Sequence, residues 1–146
     1  MILADALSYA AEKKPDYIID MATLTGACVV AVGEEIAAAF VKDKHESVLN
    51  GILDASKITG EKFWRLPLED SYKKLLKSDV ADTKNVGTRA GGSITAALFL
   101  SEFVGDVPWC HLDIAGVAFS DRPSAMFPKG GTGVPVRTLV KMIKNY

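Results

Sequence analysis

Few residues in this chain are of a type and spacing that could do chemistry, and His111-Leu112-Asp113 is the only histidine–carboxylate pair at a usable distance. Strand residues two apart share a face, so both side chains would stand about 7 Å apart by rise and could serve as a metal pair or an acid/base pair. Trp109, Leu112, Ile114 and Val117 around them read as core, and one histidine with one acid gives two ligands at most. A hydrogen-bonded structural pair is the favoured reading. Asp79-Val80-Ala81-Asp82 could offer two carboxylates to a hard cation, or form a helix cap followed by a turn, which is preferred. The glycine clusters Gly87–Gly92 and Gly130–Gly133 could bind an anion through backbone N–H groups. Neither has the Gly-Lys-Ser/Thr ending or the dinucleotide spacing, so tight turning is preferred for both. Thr23-Leu24-Thr25-Gly26 follows a strand-like run, and ligands of open α/β sheets sit where strands end in such loops. Its backbone and two hydroxyls could line a pocket, although spacing alone favours an ordinary connection. Cys28 and Cys110 lie in apolar stretches without basic partners and read as buried hydrophobes in a reducing compartment. His45, between Lys44 and Glu46, reads as solvated. No Gly-x-Ser-x-Gly elbow or His-Glu-x-x-His motif occurs.

The elements that must position these residues alternate between two periods. Residues 2–13 fit a helix stopped by Pro15, and Tyr17–Met21 a short strand. Ala27–Val32 reads as a short apolar helix or run, and a buried strand over Glu35–Val41 follows. The spacing of Val48, Ile52 and Leu53 predicts a helix over 43–57 with Asp43 as its cap. Phe63–Leu68 reads as a strand that Pro67 demotes to an edge or end, and Ser71–Lys77 as a short helix. Ile94–Val104 is a helix apolar on so many sides that it must be buried. Val107–Phe119 reads as the central strand, and a terminal helix runs from about Val134 to Lys144, with Pro135 in its first turn.

This alternation predicts a single α/β domain over residues 1–146, a layered fold with a mixed, largely parallel sheet flanked by helices. The chain opens on a helix with no strand to feed it, so the fold is expected to be truncated at its N-terminal side. With 146 residues, 49% apolar and 24% charged, it can bury a real core. A net charge of −1 carries no basic footprint for nucleic acid, and no apolar run approaches the ~20 residues needed to cross a bilayer. Met1–Asp5 lacks the basic start of a signal peptide, and the expected location is cytoplasmic.

Three segments together resemble one family. Asp20-Met21-Ala22-Thr23-Leu24-Thr25-Gly26-Ala27-Cys28-Val29-Val30-Ala31, Ser78–Asp82 with Lys84–Gly87, and Trp109-Cys110-His111-Leu112-Asp113-Ile114-Ala115-Gly116 resemble the C-terminal part of the catalytic domain of leucine aminopeptidases (cytosol aminopeptidases). Gly92–Leu100 and Gly131–Arg137 agree, so the resemblance covers nearly the whole chain. It implies a two-metal aminopeptidase removing leucine-like N-terminal residues from peptides, with Zn²⁺ or Mn²⁺ activating a bridging water, in a cytoplasmic homo-hexamer. In that family a loop reading Asn-Thr-Asp-Ala-Glu-Gly-Arg carries two metal ligands and a catalytic arginine, and other ligands and a catalytic lysine lie further upstream. Leu-Ile-Leu-Ala-Asp-Ala-Leu follows that loop directly. This chain opens on Met1-Ile2-Leu3-Ala4-Asp5-Ala6-Leu7, one residue after the family's arginine. The resemblance therefore implies no catalytic residue, no metal ligand and no bound metal here, and no activity of this chain by itself. What it carries over is a substrate wall: Thr23, Leu24 and Gly26 on one loop, with Ala115 and Ala118 lining the pocket for the N-terminal side chain. Ala118 leaves more room than the methionine of some relatives, and Pro135 replaces a flexible residue. The other expectation is a peptide-binding or assembly domain without chemistry.

Overall fold

A computed structural model describes residues 1–123 and 126–144. Helix α1 (Ile2–Glu12) forms because Ala4 and Leu7 fall on one face and bury there; Lys13 caps it and Pro15 follows. The chain continues through β1 (Ile18–Ala22), α2 (Gly26–Val32), β2 (Ile36–Val41), α3 (Glu46–Thr59) and β3 (Lys62–Arg65). It then passes through α4 (Gly92–Ser101), β4 (Trp109–Asp113), a ribbon of β5 (Phe119–Ser120) and β6 (Gly130–Gly131), and α5 (Val136–Lys144).

The main sheet has the order β1-β4-β2-β3. β1 is parallel to β4 and β2 is parallel to β3, while β2 and β4 pair antiparallel. Helices cover both faces, which is the layered, mixed α/β class expected from the alternation of elements. β2 is buried from Ala37 to Val41, and its alanines let helices approach from either side. Ala37 and Ala39 meet Val48, Leu49, Ile52 and Ala55 of α3, a stripe at helical spacing. Ala38 meets Cys28 of α2 and Ala97 of α4. Each fully buried leucine or isoleucine in these layers contributes about 1.5–3 kcal/mol. The parallel pairing of β1 with β4 delivers the loops that follow both strands to one end of the sheet.

Several elements differ from the sequence expectation, for local reasons. The central strand stops at Asp113 instead of running to Phe119. The Asp113 carboxylate takes the Ala115 amide and the Ile114 carbonyl takes the amides of Val117 and Ala118, turning the chain. Asp43 caps no α-helix: it pairs with Arg65 across to β3, Asp43–His45 is a three-ten turn, and α3 starts at Glu46. The helix read at Ser71–Lys77 is a three-ten turn over Asp70–Leu76, capped by the Glu69 side chain on the Ser71 amide. In the Asp79–Asp82 segment Ser78 Oγ accepts from the amides of Val80 and Ala81, so the turn is a serine turn and neither aspartate caps a helix. α4 begins at Gly92 and ends at Ser101, two residues earlier and three earlier than its apolar run.

α5 is fixed from a distance. Glu61, almost wholly buried between α3 and β3, accepts the Thr138 amide at 2.9 Å and Arg137 Nε at 3.2 Å, and Thr59 and Thr138 share a hydroxyl bond of 2.7 Å. An acidic side chain thereby satisfies a first-turn amide that α5 cannot satisfy itself. Glu61→Ala leaves that amide buried and unpaired, which costs about 1–3 kcal/mol. The expected result is a lower urea midpoint at an unchanged slope, and a midpoint equal to the parent's would refute the role of Glu61.

Candidate functional site

Two loops meet where β1 and β4 end. Asp113, the last residue of β4, is only 1% exposed, and a carboxylate so buried must be surrounded by donors. Its Oδ1 accepts the amide of Leu24 at 3.1 Å and that of Ala115 at 3.2 Å, with the Thr25 amide at 3.5 Å. Its Oδ2 accepts the Thr25 hydroxyl at 2.7 Å. Thr25 Oγ1 in turn accepts the Cys28 amide at 3.0 Å, capping α2, so one carboxylate ties together the loop after β1, the turn after β4 and the start of a helix.

His111 does not pair with Asp113, although strand alternation puts both on one face. The register sets His111 opposite Asp20 of β1, and Nδ1 lies 2.6 Å from Asp20 Oδ1. Trp109 Nε1 donates to Asp20 Oδ2 at 2.6 Å. A carboxylate only accepts, so this bond places the imidazole proton on Nδ1. The ring stacks with Phe40 and with Trp109, their centroids 6.0 and 6.2 Å away. The structural reading of His111 holds, with Asp20 as the partner. Asp20 was missed, and its signal is an acid inside the apolar run Tyr17–Ala22, which must find donors once buried.

Of the residues expected to form a wall, Leu24 and Ala115 are brought together, their amides sharing Asp113 Oδ1. Thr23 and Gly26 are exposed on either side of that anchor. Ala118 lies on the same turn as Ala115, its amide on the Ile114 carbonyl and its carbonyl taking the Thr132 amide. The two loops nevertheless face different hollows. Leu24 lines a largely apolar cavity of about 480 Å³ with Asn85, Val86, Arg89 and Phe99. Ala115 lines a second, of about 820 Å³, with Glu34, Phe119, Arg122 and Phe127. Gly116 explains the fixed position of the second loop: a Cβ there would stand 2.2 Å from the Gly33 carbonyl oxygen, so only glycine lets the chains cross. Gly91, with φ 67° and a position where an added Cβ would stand 2.9 Å from the Tyr72 ring, likewise fits the tight-turn reading of the first glycine cluster.

The model of the cytosol aminopeptidase family's catalytic domain matches residues 1–140. The chain belongs to the cytosol aminopeptidase family. It is 55% identical over 141 residues to a probable cytosol aminopeptidase of Prochlorococcus marinus (strain MIT 9211), covering 96% of this chain and 28% of that protein. To the probable cytosol aminopeptidase of Koribacter versatilis (strain Ellin345) it is 49% identical over 146 residues, covering 28% of that protein. A mutant of tomato leucine aminopeptidase superposes with a TM-score of 0.91 at 45% identity, over 99% of this chain and 27% of that one. The bottromycin maturation enzyme BotP in complex with Mn gives 0.91 at 44% identity, over 99% and 32%. The chain therefore spans less than a third of these family members.

Among the described residues no three His, Cys, Asp or Glu side chains gather where they could hold a metal ion. Asp20 and His111 are bound to each other, Asp113 is ringed by donors, and Asp79 and Asp82 are exposed. His45 is half-buried instead of solvated, and burial together with Lys44 and Lys42 holds it below its ordinary value. No helix among the described residues is long and apolar enough to cross a membrane. Burial, with Asp113 nearby, pushes the Cys28 thiol up to about 11, and burial with Asp20 pushes Cys110 up to about 12. Both stay protonated at pH 8. The native protein is expected to resist iodoacetamide there at both positions and to take two labels in this chain once unfolded. Fast native labelling of either would overturn this assignment.

Proposed function

We propose that this chain forms the substrate-binding wall of a two-metal aminopeptidase that removes leucine-like N-terminal residues from peptides. The observation that supports it best is the locking of two loops onto one buried carboxylate, at the sheet end where ligands meet α/β folds. Thr23, Leu24 and Gly26 are exposed there, within reach of a peptide backbone. Ala115 and Ala118 are small and half-buried, which leaves room for an N-terminal side chain. Family membership supports peptide-bond hydrolysis as the chemistry. Two divalent ions, Zn²⁺ or Mn²⁺, would supply the activated water and polarise the scissile carbonyl. The described residues of this chain do not fit such a pair, so the proposal assigns metal binding to other parts of the longer family protein. On the same reading that protein works in the cytoplasm as a homo-oligomer, a hexamer as in the full-length family, and this chain by itself is inactive.

A second reading, assembly or peptide binding without chemistry, draws on the outer edge of β1. That edge has no strand partner among the described residues, and Met1 and Ile2 lie exposed. Hydrolysis of leucine p-nitroanilide with Mn²⁺ or Zn²⁺ separates the two. Turnover is expected from the longer protein and none from the 146-residue chain. Turnover by the purified chain would mean that its own residues hold the metals. A longer, metal-loaded protein that leaves leucyl amides intact would overturn the aminopeptidase reading in favour of assembly.

A further inference from the structure

Asp113 is not needed to hold the sheet together at its position. Its neighbours in register are Ala22 of β1 and Ala38 of β2, and the backbone ladder runs through it on both sides. An apolar residue would fill such a place without any cost of desolvation. What the carboxylate does instead is collect donors from its own turn and from a loop 89 residues away in sequence. Two of them, the amides of Leu24 and Ala115, converge on a single oxygen. Across a trans peptide the carbonyl points opposite to the amide that follows it. Turning the Leu24 and Thr25 amides toward Asp113 therefore turns the carbonyls of Thr23 and Leu24 away from it, out of the sheet end. The Thr25 hydroxyl on the second oxygen stops that loop from rotating, and its bond to the Cys28 amide fixes the loop to α2. Beneath, the Cys28 thiol sits 3.6 Å from the Asp113 carbonyl, so the anchor is packed from below.

We propose that Asp113 is a positioning residue for substrate: its buried carboxylate sets the orientation of the Thr23–Leu24 carbonyls and the separation of the Leu24 and Ala115 loops. The inference rests on the reading of those loops as a substrate wall. Asp113 touches no substrate itself and acts through the peptide groups it orients.

The test uses the longer, metal-loaded protein, with KM and kcat for leucine p-nitroanilide and amide hydrogen exchange over residues 23–28 and 114–118. Asp113→Asn removes the charge at nearly constant shape, and Thr25→Val removes the hydroxyl arm. Each is expected to raise KM about tenfold or more while kcat stays within about threefold, and to speed exchange in the affected loop. Thr25→Ser keeps the hydroxyl and is expected to restore both readouts. Ile52→Val, in the core on the opposite face of the sheet, is the structural control: it lowers Tm and leaves KM alone. Should Asp113→Asn fail to fold, the valine and serine variants at Thr25 decide alone. An unchanged KM in the variants of an active parent overturns the positioning role, and so does a KM that rises equally in Ile52→Val. A parent that does not turn over leucyl amides overturns the aminopeptidase reading, and the inference falls with it.

Discussion

A negative charge sealed inside the sheet end is the constraint from which the local architecture follows. Asp113 cannot be left without donors, and the donors at hand are backbone amides of loops that would otherwise be free to adopt many conformations. Satisfying the charge and ordering the loops are thus one event. Hydrogen bonds to an ionised acceptor are roughly twice as strong as neutral ones, so the loops are held more firmly than their exposure would suggest. Asp20 repeats the arrangement two positions earlier along the β1–β4 ladder, with side-chain donors, His111 and Trp109, in place of amides. The inner carboxylate fixes how β1 sits against β4, and the outer one fixes what the two strands present at their ends.

Much of this was legible in the sequence, and what was not shares one cause. Period and punctuation located α1, β1, β2, α3 and α5 to within a few residues, because local apolar spacing and the stops at Pro15 and Gly60 decide them. The apolar run through Ile114 and Val117 hid the end of β4, since a turn made by a side chain on its own backbone leaves no periodic trace. Partners fared worse. Asp113 was visible as a chemistry-bearing residue and Asp43 as a helix cap, but their partners lie about 90 residues and 22 residues away, in a strand order that a single sequence does not reveal. Glu61 drew no notice, because its role depends on α5 folding back onto the end of α3. The candidate wall was named from family resemblance, not from spacing, which alone preferred an ordinary connection at Thr23–Gly26.

The small residues have a role distinct from the charged ones. Ala37, Ala38 and Ala39 bring helices close to both faces of β2, and Gly116 lets one loop cross another at the Gly33 carbonyl. Space remains away from β2: one hollow lies beside Leu24 along α4 from Gly92 to Leu100, the other beside Ala115 at the β5–β6 ribbon.

Strand direction explains why so many features converge on that end. β1 and β4 finish there, and because β2 runs antiparallel to β4 and β3 follows β2, those two strands begin there. The segment entering β2 therefore meets Gly116, and Gly60, Glu61 and Lys62 at the entry to β3 border the hollow that Ala115 lines. A wholly parallel sheet would have sent the entries of β2 and β3 to the far side and left the turn after β4 unsupported. The mixed order instead surrounds two strand ends with two strand beginnings. A loop such as Ile114–Ala118 can then border a hollow, with Ala115 and Ala118 half-buried, while its backbone is held at Asp113, at Gly33 and at Thr132.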